Sequence, residues 1–348
     1  AVIGPLADCP HEQLGTWIFD GDPGLSHTIV AGLRELVGDA ATLRVVRGCD
    51  DTRSPVASEL NEAVAAARAS DVAIVVLGEE AILSGEAHCR ADITLPGAQR
   101  ALLRAVRDTG TPMVLVLLAG RPLALEADLE GVPTVLWGFH PGTMTGPAVA
   151  DVLFGRVAPS GKLPMTFPRV TGQVPMYYNE KPSGKPATPE TIIHLHEIAP
   201  RAPQLSVGNT SFHLDVHPSP LFAFGHGLSY TTFRYEHITT DRTVVTVGEP
   251  IVVSADVTNT GAREGTEVVQ LYVRDLAGSV TRPVRELKGF ERVTLGPGET
   301  RRVSFTLTAA SLSFYGRGMV RVTEPGHFHA WIGGSAQATL RTDFLLSS

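Results

Sequence analysis

The stretch S-G-E-A-H-C-R-A-D-I-T-L-P at 84–96 places Glu86, His88, Cys89 and Arg90 within one short polar segment. It follows the apolar run V-A-I-V-V-L-G at 72–78 and the pair Glu79-Glu80. A second unusual stretch, C-P-H-E-Q-L-G-T-W-I-F-D-G-D at 9–22, carries Trp17, Phe19 and Asp20. A carboxyl group beside an aromatic platform suits sugar chemistry. An indole stacks on the apolar C–H face of a sugar, and Asp or Glu accepts from its hydroxyls. A glutamate in a partly apolar loop can also have its pKa raised, so that it stays protonated and can donate to a leaving oxygen. The pattern leaves two readings of Glu86 open: a catalytic acid, or a solvated loop acid at the start of the helix beginning near 96. Glu79 and Glu80 are read as anchors of the strand end, and His88 and Cys89 receive no role.

The elements that would position these residues are legible. Five Val-, Ile- and Leu-rich runs at 1–6, 43–48, 72–78, 113–119 and 133–137 show no clear alternation. Such runs read as parallel strands covered on both faces. Between them, 58–69 reads as a helix with Ser58 at its start, and 96–107 as one with Pro96 in its first turn. Segment 145–154 reads as a helix capped by Gly155. This alternation predicts a layered α/β sandwich domain over 1–175 with a mostly parallel sheet. Ligands of such sheets bind outside the carboxyl ends of the strands. The 9–22 and 79–90 loops both lie at that edge.

From about 230 the period changes. The runs I-V-V-S-A-D-V-T-N-T-G, E-V-V-Q-L-Y-V-R-D and R-R-V-S-F-T-L-T alternate apolar and polar residues, with turn signals at 259–261, 296–298 and 324–326. They predict an all-β immunoglobulin or fibronectin type III-like sandwich over 229–348. The Pro-rich 176–228 reads as a long irregular connecting segment. Phe212, His213, Phe222 and Phe224 imply that part of it docks. A stretch as long as 183–220 is expected to carry function. One reading has it cross to a neighbouring subunit, which leaves a homo-oligomer open.

Several function classes are excluded or weakened. The 348 residues carry a formal net charge of -7 with scattered basic residues, which argues against a nucleic-acid partner. No apolar segment reaches the ~20 residues that span a bilayer, so no membrane partner is expected. G-P-L-A-D after the first strand lacks the glycines of a dinucleotide fingerprint, and neither a P-loop nor G-x-S-x-G occurs. His194-Leu195-His196 lacks nearby Cys or Asp ligands, so no metal or other cofactor is expected. Cys9, Cys49 and Cys89 are read as free thiols, with a Cys9–Cys49 bridge the alternative. The chain opens directly on A-V-I-G-P-L with no Met or leader. The expectation is that something N-terminal has been removed, cleaved or placed on another chain.

Taken in order, the blocks resemble the C-terminal portion of glycoside hydrolase family 3, the β-glucosidase group. They include V-I-G-P-L-A-D at 2–8, L-G-T-W at 14–17, the 84–96 stretch and V-L-V-L-L-A-G-R-P-L-A-L at 114–125. A-D-V-L-F-G-R-V-A-P-S-G-K-L-P-M-T-F-P at 150–168 and P-L-F-A-F-G-H-G-L-S-Y-T-T-F at 220–233 continue the match. V-T-N-T-G-A-R-E-G at 257–265, R-P-V-R-E-L-K-G-F at 282–290 and L-G-P-G-E-T at 295–300 extend it through the sandwich.

The resemblance implies a retaining, exo-acting β-glycosidase, most simply a β-glucosidase, acting on a β-linked oligosaccharide or glycoside. It implies an N-terminal barrel, as a domain or a separate chain, that carries the nucleophilic Asp. The family's S-G-E-x-x-x-R loop matches Ser84, Gly85, Glu86 and Arg90, so the general acid/base role falls on Glu86. The family's leaving-group tryptophan falls on Trp17. Arg90 either orients the loop or contacts sugar. The loop W-G-F-H-P-G-T-M-T-G at 137–146 departs from the family by having Met144 where many relatives carry Glu. No Asp of this chain is named as nucleophile. The alternative is a non-catalytic carbohydrate-binding or structural subunit. A periplasmic or secreted location is favoured over the cytoplasm.

Overall fold

The run 72–78 can sit only between covering layers, because every residue of Ala73–Gly78 is apolar or glycine and all are buried. In the computed structural model, which describes residues 1–203 and 210–348, it forms β3 at the centre of a five-stranded sheet. The sheet comprises β1 (Val2–Ile3), β2 (Val45–Val46), β3, β4 (Met113–Leu118) and β5 (Val135–Trp137), in the order β2-β1-β3-β4-β5. Every pairing is parallel, as the uninterrupted apolar runs predict.

Four nine-residue helices accompany the sheet: α1 (Ile29–Val37), α2 (Leu60–Arg68), α3 (Gln99–Arg107) and α4 (Thr145–Leu153). Residues of α1 and α4 pack with Ile74, Val76, Val116 and Leu118 in one cluster. The helices α2 and α3 touch each other and bury Ala63, Ala67, Leu102, Leu103 and Val106. The backbones of α1 and α4 meet at Gly32 and Gly146. A Cβ on Gly32 would stand 2.2 Å from the Gly146 carbonyl carbon, so only glycine permits this approach.

Local details refine the expectations. Helix α1 was not anticipated, although Thr28 caps it by accepting from the Ala31 amide at 3.2 Å. Ser58 caps nothing; its hydroxyl donates to Asp50. Pro96 precedes α3 rather than entering its first turn, and its carbonyl accepts from the Gln99 side chain. Gly155 follows α4 with φ +69°, the left-handed stop that glycine supplies.

The chain divides into two compact units, Ala1–Val157 with Pro168–Val174, and Ala158–Phe167 with Pro175–Ser348. The second is a β-sandwich. It contains β6 (Phe233–Thr240), β7 (Val244–Thr246), β8 (Ile251–Asn259), β9 (Gly265–Asp275), β10 (Glu286–Leu295) and β11 (Thr300–Leu307). The short helix α5 (Ala309–Leu312) and a small hairpin of β12 (Phe314–Tyr315) and β13 (Arg321–Val322) follow. Then come β14 (Gly326–Gly333) and β15 (Arg341–Ser347). One sheet runs β10-β9-β14-β15-β7 and the other β11-β8-β6. Their inner faces share a core that includes Val253, Val257, Val269, Leu271, Phe328 and Phe344. Within this unit, Phe224 stacks on Tyr178 with centroids 4.1 Å apart, and Phe222 pairs with Phe167. His213 is exposed. Part of the 183–220 stretch, 204–209, lies outside the described residues. The three cysteines are free thiols.

Candidate active site

Parallel pairing carries the loops after β1, β3, β4 and β5 to one edge of the sheet. Two buried glutamines tie this edge down. Gln99, the first residue of α3, accepts from the Gly78 amide and donates to the carbonyls of Gly78 and Thr52, capping the end of β3. Gln13 donates to the carbonyls of His27 and Gly142, both at 3.1 Å, and its own carbonyl accepts from Gly142. The loop after β1 is thereby stitched to the loop after β5.

The loop after β1 is also joined to the loop after β3, at Ala81. Glu12 accepts from the Ala81 amide, and the Thr16 hydroxyl donates to the Ala81 carbonyl. The neighbouring Trp17 is 60% exposed, with Phe19 tilted beside it at a centroid distance of 6.4 Å. Five residues beyond Ala81, Glu86 is exposed, and no hydrogen bond or ion pair engages its carboxylate among the described residues. Ala87 beside it lies at φ +61°, a conformation uncommon for a residue with a Cβ. The Trp17 and Glu86 loops are therefore fixed to each other by backbone-directed bonds, and both present their side chains to solvent.

Beneath Glu86 lies a buried charge cluster. The Glu79 side chain is 0% exposed and pairs with both Arg90 and Arg121. Arg121 Nε donates to Glu79 Oε2 at 3.0 Å. Arg121 Nη2 donates to the carbonyl of Leu83 and, at 2.9 Å, to that of His88. His88 is turned back onto the Ile82 carbonyl. Arg90 thus faces Glu79, while Glu80 pairs with Arg53 at 2.8 Å. Gly120 completes the packing. A Cβ there would stand 2.5 Å from the Ser84 side chain and 2.7 Å from His140 Cε1.

His140, from the loop after β5, has a buried Nε2 with no hydrogen-bond partner. Burial pushes its pKa below the usual histidine value, against the opposing pull of Glu12 and Glu79. Met144 is exposed. Among the described residues no group of three His, Cys, Asp or Glu could hold a metal, and no helix is long and apolar enough to cross a membrane.

Sequence reasoning singled out Glu86, Trp17 and Arg90, and the first two stand on loops joined at Ala81. It did not anticipate Glu12, Gln13, Arg121 or His140. Only Arg121 had a readable signal, as a charged residue just past an apolar parallel strand at the edge where ligands bind.

Residues 1–230 match the model of the Glycosyl hydrolase family 3 C-terminal domain, and 267–336 that of a fibronectin type III-like domain. A periplasmic beta-glucosidase from Salmonella typhimurium is 40% identical over 96% of this chain and 44% of its own length. A beta-xylosidase from Formosa agariphila is 38% identical over 97% of this chain and 44% of its own. The crystal structure of a beta-glucosidase from Listeria innocua in complex with glucose superposes with a TM-score of 0.89 at 34% identity. It covers 100% of this chain and 45% of that one. The chain thus spans less than half the length of these relatives. The family match over 1–230 and the identity to these relatives agree: the chain belongs to glycosyl hydrolase family 3, as a C-terminal domain followed by a fibronectin type III-like domain.

Proposed function

We propose that this chain is the acid/base-bearing part of a retaining, exo-acting β-glycosidase, most simply a β-glucosidase. Retaining hydrolysis uses two carboxyl groups about 5–5.5 Å apart. One attacks the anomeric carbon. The other protonates the departing oxygen and then takes a proton from water. Glu86 is assigned the second role. The nucleophile is assigned to an N-terminal barrel outside this chain, so the chain alone would not hydrolyse glycosides. Trp17 is assigned to the aglycone subsite, and its exposed indole suits stacking on a sugar. Arg90 acts on the substrate only through the loop, since its guanidinium is engaged by Glu79.

The observation that carries this reading is the contrast within one loop. The 79–90 loop is tied down at several points, whereas the Glu86 carboxylate has no partner among the described residues and is exposed. A structural acid would be expected to engage its neighbours. A periplasmic or secreted location belongs to the same proposal, supported by the periplasmic relative. So does a homo-oligomer in which 183–220 crosses to a neighbouring subunit and edges its active site; an unchanged oligomer and unchanged kinetics after deleting 187–216 would remove that idea.

The test is Glu86→Ala in the complete enzyme. Hydrolysis of alkyl β-glycosides should collapse, and azide should restore turnover of a substrate with an activated leaving group. Unchanged turnover of alkyl glycosides would overturn the assignment and favour a binding or structural role.

A further inference from the structure

We infer that Arg121 is the positioning residue of the acid/base, holding Glu86 in place by gripping its loop on both sides. The inference rests on the proposed role of Glu86. Arg121 stands three residues past β4, outside the 79–90 loop, and its single guanidinium reaches three partners in or beside that loop. Nε bonds Glu79 at the loop's start. Nη2 bonds the carbonyls of Leu83 and His88, which bracket Glu86. Arg90, at the loop's far end, closes onto the other oxygen of Glu79. One fully buried carboxylate thus carries two guanidiniums, each only 18% exposed.

The chemistry suits arginine alone. Its planar fork offers five donors in fixed directions, so one side chain can bind a carboxylate and two carbonyls together. Lysine, a point charge on a flexible stem, cannot reproduce that span. Among the described residues no backbone amide beyond the Ala81–Ser84 turn donates to the carbonyls of Leu83 and His88, and without Arg121 their satisfaction would fall to solvent. The 80–90 segment contains no helix longer than the single turn Ala81–Ser84. Its order must therefore come from such cross-links. Proton transfer demands a narrow geometry, and a displacement of about 1 Å can cost about 10²-fold in rate. Among the described residues no hydrogen bond or ion pair holds the Glu86 carboxylate itself. Its position is inherited from the backbone that Arg121 grips.

A residue acting through the acid/base is distinguished from a merely structural one by leaving-group dependence. A dinitrophenolate departs without a proton, whereas an alkoxide needs one. In the complete enzyme, Arg121→Met should lower kcat/KM for methyl β-glucoside by about 10²-fold. It should lower kcat/KM for 2,4-dinitrophenyl β-glucoside by less than about 3-fold. Arg121→Lys should behave like Arg121→Met despite keeping the charge, and serves if the methionine variant does not fold. The double variant Glu86→Ala/Arg121→Met should be no slower on the methyl glycoside than Glu86→Ala alone, because the two losses share one cause. Equal losses on both glycosides, or additive losses in the double variant, would overturn the inference. If Glu86→Ala discriminates between the leaving groups and the Arg121 variants do not, the positioning role alone falls. If Glu86→Ala does not discriminate, the proposed function falls with it.

Discussion

Glu79 and Arg121, 42 residues apart in the chain, meet beneath the Glu86 loop with Nε and Oε2 3.0 Å apart. The Glu79 side chain is fully buried and that of Arg121 largely so. The pair joins the ends of adjacent parallel strands, and Arg90 extends it across the loop.

Removing the acid from this cluster leaves two largely buried guanidiniums without their shared carboxylate. Breaking a buried ion pair by deleting one partner typically costs about 3–5 kcal/mol. Glu79→Ala is therefore expected to destabilise the first unit by that order, measured as a lowered denaturant midpoint. Glu80→Ala should cost less, because its partner Arg53 is largely exposed. Equal effects of the two variants would contradict the cluster's importance.

Gly120 leaves room for the loop. A methyl group there would overlap Ser84 and His140, and overpacking of this kind costs about 1–3 kcal/mol. Gly120→Ala in the complete enzyme should lower the melting temperature. It should also slow hydrolysis of alkyl glycosides more than that of dinitrophenyl glycosides, because Ser84 lies in the Glu86 loop.

The bond from Thr16 to the Ala81 carbonyl links the Trp17 and Glu86 loops. Thr16→Val keeps the shape and removes the donor, at a cost of about 1 kcal/mol. KM for a β-linked disaccharide should rise in this variant, since Trp17 is no longer held in register. An unchanged KM alongside a lowered melting temperature would confine Thr16 to stability.

Acid should destabilise the fold partly through His140 and His226. Burial holds both pKa values below 6.5, with Lys162 adding to the effect at His226 and Glu12 and Glu79 opposing it at His140. Above pH 6.5 both states are neutral at these sites and no penalty arises. As the pH falls below 6.5 the unfolded chain takes up the proton first, so stability is lost until the folded pKa is reached. The slope is at most about 1.4 kcal/mol per pH unit for each group. Melting curves from pH 7.5 to 5 should show a shallower decline for His140→Gln than for the parent. An identical slope would remove His140 from the account.

The sequence by itself determined the two architectures. Uninterrupted apolar runs such as Ala73–Gly78 can be covered only on both faces, and alternating runs such as those at 251–261 and 301–308 only on one. It also singled out Glu86 and Trp17 as candidates, because a polar loop just past a buried parallel strand lies at the edge where such sheets bind ligands. Helix α1 is weakly marked in the sequence although Thr28 and the apolar residues Ile29, Val30 and Leu33 open it, since it is only nine residues long and Gly32 lowers its helical propensity. Only the tertiary structure decided what holds the site. Arg121 reaches Glu79, Gln13 reaches Gly142, and His140 lies against Gly15 and Gly120. These contacts join residues tens of positions apart. No local propensity or period encodes them, because they exist only once parallel pairing has brought the strand ends to one edge.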